Sequence, residues 1–104
     1  MIGLAYEKLN QLDSSAFYLN KSYNTQKSNV RILEDLSRVE YKMDSLDIAF
    51  EHINILLDEV KEAKNFNMRG LIRLKLKDTT NACVDFKTAY LIDNNFSYVN
   101  QFCE

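Results

Sequence analysis

Proline is absent from this chain and glycine occurs only twice, at Gly3 and Gly70. A sheet protein built on tight hairpins is therefore disfavoured, and helices are the expected elements. The same scarcity excludes a phosphate-cradling loop, which needs several glycines close together. Long apolar runs are lacking too: no stretch of about 18 apolar residues offers a membrane span. Met1 to Tyr6 do not show the basic then apolar order of a signal peptide. An export signal can be cut away, so a soluble domain is expected while its compartment, cytoplasmic or periplasmic, stays open. The only histidine, His52, has Glu51 beside it but no arrangement of Ser, Cys or acid that reads as a triad. Cys83 and Cys103 are far from it, and neither CxxC nor HxxxH occurs. No metal, cofactor or enzymatic activity is expected. Excess charge is missing as well: the net charge of −2 does not suit a basic nucleic-acid binder, and 46% apolar against 27% charged residues does not suit a disordered polyanion. The 104 residues fit one domain with a single modest core.

What is present is helical periodicity, clearest from Phe66 to Asp93. This stretch reads as two amphipathic helices folded back on each other at the polar corner Lys77, Asp78, Thr79. The first helix carries Phe66 and, four places on, Gly70; the second presents Ala82, Phe86 and Ala89 at helical spacing. The same template fits upstream, with small residues paired as Gly3 and Ser15, Ser37 and Ala49, and Gly70 and Ala82. The pairs are offset by 34 and then 33 residues, and each has an internal spacing of 12. Small residues are wanted where two helices cross closely. Gly70 costs about 1 kcal/mol of helix propensity against Ala, so packing is the reason expected for it, with Gly70 against Ala82 and Ser37 against Ala49.

These residues and this period resemble the tetratricopeptide repeat family over most of the chain. The run Ala82, Cys83, Val84, Asp85, Phe86, Lys87 with a closing Phe and Cys is similar to a bacterial subgroup of it. The resemblance implies an all-α, right-handed α–α superhelix, a solenoid of about two and a half hairpins plus a capping helix. Residues 1–28 would form a partial first repeat, 29–62 a second, 63–94 a third and 95–104 the cap. Gly3 would follow about seven more helical residues than Met1 and Ile2 supply, so the chain is expected to be a fragment of a longer protein. In the first repeat a second helix is expected from about Ser14 to Gln26, capped by Asp13 or Ser14, with Ala16, Leu19 and Tyr23 inward. Phe17 and Tyr18 are left over, either for a groove between hairpins or for an exposed end that would find a neighbouring chain.

The second repeat starts at the N-cap Asn29 and carries Ile32, Leu33, Leu36, Val39 and Met43 to a corner at Asp44 and Ser45. Its second helix shows Leu46, Ala49, Phe50, Ile53, Leu56, Leu57 and Val60, a face wide enough to be buried on two sides. The segment from Lys61 to Asn65 is the weakest boundary. After Asn94 and Asn95, the spacing of Phe96, Val99 and Cys103 gives the cap one apolar face over the last hairpin.

Charge is uneven between adjoining helices. Asp44, Asp47, Glu51, Asp58, Glu59 and Glu62 face one base, Lys61, and then Lys64, Arg69, Arg73, Lys75 and Lys77 follow without an acid. Arg69 and Arg73, close to Gly70, are expected to pack their stems and pair their heads along the hairpin interface. In the family the first helices line a concave surface that contacts a peptide or a partner's helix. The matching positions are Leu4, Glu7 and Lys8, then Arg31, Glu34, Arg38, Tyr41 and Lys42, then Lys64, Asn67, Leu71, Leu74 and Lys75. Of these, Arg38, Tyr41, Lys42, Lys64, Asn67, Leu71, Leu74 and Lys75 are the expected binding residues, suited to a protein or peptide partner with acidic residues and an apolar anchor. The chaperone-tail clamp of some members wants Asn where this chain has Leu4 and Asp35, which argues against that version. The alternative function is structural, a spacer or a self-association segment of a larger regulator, lipoprotein or assembly factor, joined through Ile2, Phe17 and Tyr18.

Cys83 and Cys103 lie about equally far from the turn at Asn94 and Asn95, so a cap folded back on its helix brings both thiols near each other and buries them. Two readings remain. A pair of buried cysteines needs no bond, and that reading is preferred because disulfides are rare in cytosolic proteins. In an exported protein, a bridge closing this loop would contribute about 3 kcal/mol.

Overall fold

The computed structural model describes the backbone of residues 2–27 and 29–103 and the side chains of residues 11–27 and 29–103. Six helices follow one another: α1 (Ile2–Thr25), α2 (Val30–Lys42), α3 (Leu46–Glu59), α4 (Ala63–Lys75), α5 (Thr79–Ile92) and α6 (Tyr98–Phe102). Among the described residues there is no strand. The architecture is the all-α helical repeat implied by the sequence, with each helix packed on the next along the chain and α2 also touching α4.

Two hairpins, α2/α3 and α4/α5, are built alike. Each turns through three residues, Met43 to Ser45 and Leu76 to Asp78. The middle residue of each corner is left-handed, Asp44 with φ 63° and Lys77 with φ 65°. The last residue of each corner donates its backbone N–H five residues back, Ser45 to Glu40 at 2.9 Å and Asp78 to Arg73 at 2.8 Å, which closes the first helix. Thr79, expected in the corner, is instead the first residue of α5, and Asp78 caps that helix by accepting from the N–H of Asn81. Asn29 caps α2 as expected, accepting from the N–H of Arg31 at 3.1 Å.

The first repeat differs from its expectation. No turn is made at Asp13 and Ser14, and α1 runs unbroken for 24 residues. The chain from Leu4 to Thr25 has neither proline nor glycine to interrupt the helix. Ser15 is exposed accordingly, whereas Ser37, Ala49, Gly70 and Ala82 are all buried. Ala16, Leu19 and Tyr23 are half-buried on the inner side, and Phe17 and Tyr18 stand 66% and 67% exposed. Gly3 and the positions Ile2, Leu4, Glu7 and Lys8 lie outside the described side chains.

The core joins Leu33 of α2, Ala49, Ile53, Leu56 and Leu57 of α3 and Ile72 of α4. Half-buried Tyr23, Phe50, Val60 and Phe66 pack around it. Helix α3 is thus covered on two sides, by its own α2 and by the following α4. Gly70 is needed for a close approach, and the atoms nearest to it across the crossing belong to Phe86. A Cβ there would lie 2.6 Å from Cε1 and 2.7 Å from Cδ1 of Phe86, whose ring is fully buried.

The cap is shorter than its spacing suggested, and Phe96, Val99 and Cys103 of its expected face are all half-buried. Tyr98 and Phe102 of α6 stack on Phe86, with ring centroids 5.7 and 5.9 Å away, while Phe96 precedes the helix. Cys83 and Cys103 are both half-buried and are joined by a disulfide with a Cα–Cα distance of 5.7 Å, which corrects the preference for free thiols. The bridge closes a loop of sequence separation 20. Its reduction is expected to lower stability by about 3 kcal/mol, seen as a fall in urea midpoint when reductant is added.

Candidate functional site

Helices α2 and α4 lie side by side, and a groove runs between them. Glu34, Asp35 and Arg38 form one wall and Lys64, Asn65 and Met68 the other, with Ile53 of α3 at its floor. The walls face each other because α2 and α4 occupy the same place in successive hairpins and both pack on α3. Every described charged side chain of this groove has a partner. Lys64 Nζ lies 3.2 Å from Glu34 Oε1 and 3.5 Å from Glu62 Oε2. The hydrogen bond to Glu34, then the charge of Glu34 and that of Glu62, hold the Lys64 ammonium above the usual lysine value. Arg38 Nη2 donates to Asp35 Oδ1 at 3.1 Å. The cations of these pairs are exposed and their attraction is screened by solvent, so a ligand's charges can replace them at little cost.

The remaining expected residues spread to either side. At the far end of the helices, Lys75 Nζ stands 4.2 Å from the centroid of the Tyr41 ring and 3.7 Å from Asp44 Oδ1. Lys42 is exposed and faces a second depression, lined by Gln11, Leu12 and Ser15 of α1. Asn67 looks the other way, towards Asn95, Phe96, Ser97 and Tyr98, with its Oδ1 buried and unpartnered. Leu71 and Leu74 are half-buried. The eight residues therefore lie in a strip along the two helices α2 and α4 rather than in one pocket. The groove residues left out of that set are Glu34, Asp35, Ile53, Asn65 and Met68; two of them were accessible to the periodicity, since Asp35 precedes Arg38 by one helical turn and Met68 follows Lys64 by another.

Behind the strip, two buried polar pairs tie the hairpins together. In α4/α5, Asp85 is 1% exposed and receives Arg69 Nε at 3.0 Å, Arg69 Nη2 at 2.9 Å and Arg73 Nη1 at 2.9 Å. Arg69 Nη1 also donates to Asn54 of α3 at 3.0 Å, and the two guanidiniums cover Phe66 and Phe50 at 5.7 and 5.2 Å. The pairing expected of Arg69 and Arg73 is thus made, on an acid that sequence reasoning had not assigned to them. In α2/α3, His52 Nδ1 and Glu40 Oε1 are 2.7 Å apart, with Tyr23 of α1 edge-on to the imidazole at 5.6 Å. His52 thus serves as a packed link between three helices. Among the described residues no group of His, Cys and acids could hold a metal ion, and no helix is long and apolar enough to cross a membrane.

Comparison with known proteins agrees with this architecture. The tetratricopeptide repeat model matches residues 1–29 and 55–96. No curated protein matches the chain. The unmatched stretch includes α2 and the start of α3, yet their hairpin repeats the corner and the buried small residues of α4/α5. With the match spanning well over half its length, the chain belongs to the tetratricopeptide repeat family, whose members are protein-interaction modules built of helical repeats.

Proposed function

We propose that this chain binds a peptide or a partner's helix along the strip formed by α2 and α4. The observation that carries this reading is the groove between those helices, apolar at Ile53 and Met68 and rimmed by exposed ion pairs that a ligand can compete for. Arg38, Lys42, Lys64 and Lys75 would meet acidic residues of the ligand and Tyr41, Leu71 and Leu74 its apolar anchor, while Asn67, turned towards Asn95 and Tyr98, would only border the strip. Glu34 and Asp35 would give up their cations to that ligand, which makes binding sensitive to salt.

Titration of a fluorescent peptide carrying several acidic residues and one Leu or Phe tests the reading. Changing Arg38→Glu and Lys75→Glu together should weaken binding about tenfold at low salt while leaving the urea midpoint in place, since both residues are exposed. Undiminished binding would sink the groove assignment. A second reading, self-association, is favoured by one observation, the exposed edge-to-face pair Phe17 and Tyr18 on α1. It requires a light-scattering mass that doubles with concentration and returns to the monomer in Phe17→Ser with Tyr18→Ser.

A further inference from the structure

Besides the strip, the structure has an unusual feature at its other end: a covalent bridge that opens onto a surface groove. Cys83 and Cys103 line this groove together with Val84, Lys87, Tyr90, Leu91 and Val99. Val84 and Leu91 are 56% and 74% exposed. Stacking of a further repeat does not explain that exposure. In the repeat register their places on α3 are taken by Glu51 and Asp58, which are exposed although α4 follows them. Lys87 stands one helical turn after Cys83, on the same side of α5. The other partner of the bridge holds little structure of its own. Helix α6 has five residues, none of them buried, and no side-chain N-cap. A helix that short does not persist alone in water.

We propose that the Cys83–Cys103 bridge is a redox modification site, opened by exchange with a dithiol, and that opening it releases α6 from the Phe86 side of α5. A thiolate of the dithiol enters through the groove and attacks Cys103 Sγ. The S–S bond breaks, its electron pair leaves on Cys83 Sγ, and a mixed disulfide forms on Cys103. The second thiol of the dithiol, giving up its proton, attacks its own sulfur in that mixed disulfide and expels the Cys103 thiolate. Two electrons have then passed from the dithiol, now a cyclic disulfide, to the bridge, and the two protein thiolates take up the two protons. Lys87 favours the direction of attack, because its ammonium stabilises the thiolate leaving on Cys83. The apolar groove around Val84, Tyr90 and Leu91 is the surface on which a dithiol-bearing protein would rest. After opening, α6 has no covalent tie to α5 and depends on side-chain packing such as the ring contacts of Tyr98 and Phe102 with Phe86. Unlike the peptide reading, this site uses no residue of α2.

The test uses the oxidised full chain and dithiothreitol under native conditions, with alkylation and mass measurement at intervals. Opening should be fast compared with global unfolding, about three- to tenfold slower in Lys87→Gln, and restored in Lys87→Arg. Amide exchange at residues 98–103 should rise on reduction under native conditions, to rates well above those of α2 and α3, whose exchange changes only as far as global stability falls, and Cys83→Ser with Cys103→Ser should reproduce the reduced pattern without any reductant. Three results would each overturn the proposal: two free thiols in protein purified in air, reduction that proceeds only as fast as global unfolding, or exchange in α6 that is the same with the bridge open and closed.

Discussion

Asp85→Ala is expected to remove about 3 kcal/mol of stability, the largest loss from any single charged side chain in this chain. The carboxylate is 1% exposed and accepts three hydrogen bonds from Arg69 and Arg73, whose side chains are 20% and 19% exposed. Truncation would leave two guanidiniums largely desolvated with their counter-charge gone. Arg73 Nε is already buried without a partner, so the arginines have little spare bonding to fall back on. A domain with roughly 5 to 15 kcal/mol in total would show this as a large drop in urea midpoint. Asp85→Asn keeps the shape and some acceptors, and should lose about half as much. A midpoint that moves by less than about 1 kcal/mol in Asp85→Ala would mean that the arginines find water or other acceptors, and that the network is not what joins α4 to α5.

The second large effect concerns Phe86. Phe86→Ala should cost about 3 to 5 kcal/mol, because the ring is fully buried between α4 and the aromatic rings of α6. Gly70→Ala, which in an ordinary helix interior gains about 1 kcal/mol, should here lose about 1 to 3, since the new methyl would meet the ring at 2.6 Å. The two changes should be coupled. In Gly70→Ala with Phe86→Leu the smaller side chain vacates the space the methyl needs, so the double variant should be about 1 to 2 kcal/mol better than the sum of the single ones. Additive thermal melts would show that Gly70 is there for some reason other than this ring.

The residues that decided the fold were legible because their constraint is local and periodic. Ser37, Ala49, Gly70 and Ala82 are buried where a spacing of 12 and an offset of 33 put them. The inner faces of α2 and α3 follow from apolar residues at helical spacing. What was not legible depended on partners distant in sequence. The period locates Gly70 at a crossing, but cannot say that a ring rather than a methyl fills the space beside it. Asp85 sits inside an apolar run, and only the positions of Arg69 and Arg73 in space explain why it is tolerated there. The missing turn in α1 was misjudged because a small-residue pattern reports which helices would cross, not whether the chain between them bends. The cysteines were rightly brought together by counting from the turn, but compartment statistics say nothing about whether a given pair is bonded. For the strip, position in the repeat found the cations; their neutralisation by Glu34 and Asp35 required the groove.

The two buried pairs have a consequence for how the hairpins choose their partners. Glu40 and Arg73 occupy equivalent places on the first helices, and His52 and Asp85 equivalent places on the second, each 33 residues apart. The polarity is reversed between them: acid on α2 against base on α3, then base on α4 against acid on α5. The Gly70–Phe86 fit, which Ser37 on α2 cannot reproduce, already sets α4 and α5 apart, and the charge pairs add a second distinction against a domain-swapped or misthreaded chain in which α2 closes on α5 and α4 on α3. Such exchanges would set Glu40 against Asp85, like charge facing like charge in a dry crossing, and Arg73 against His52, which offers no carboxylate to neutralise it. The alternation therefore helps distinguish two hairpins of the same build within one polypeptide, each first helix finding its matching charge only on its own second helix.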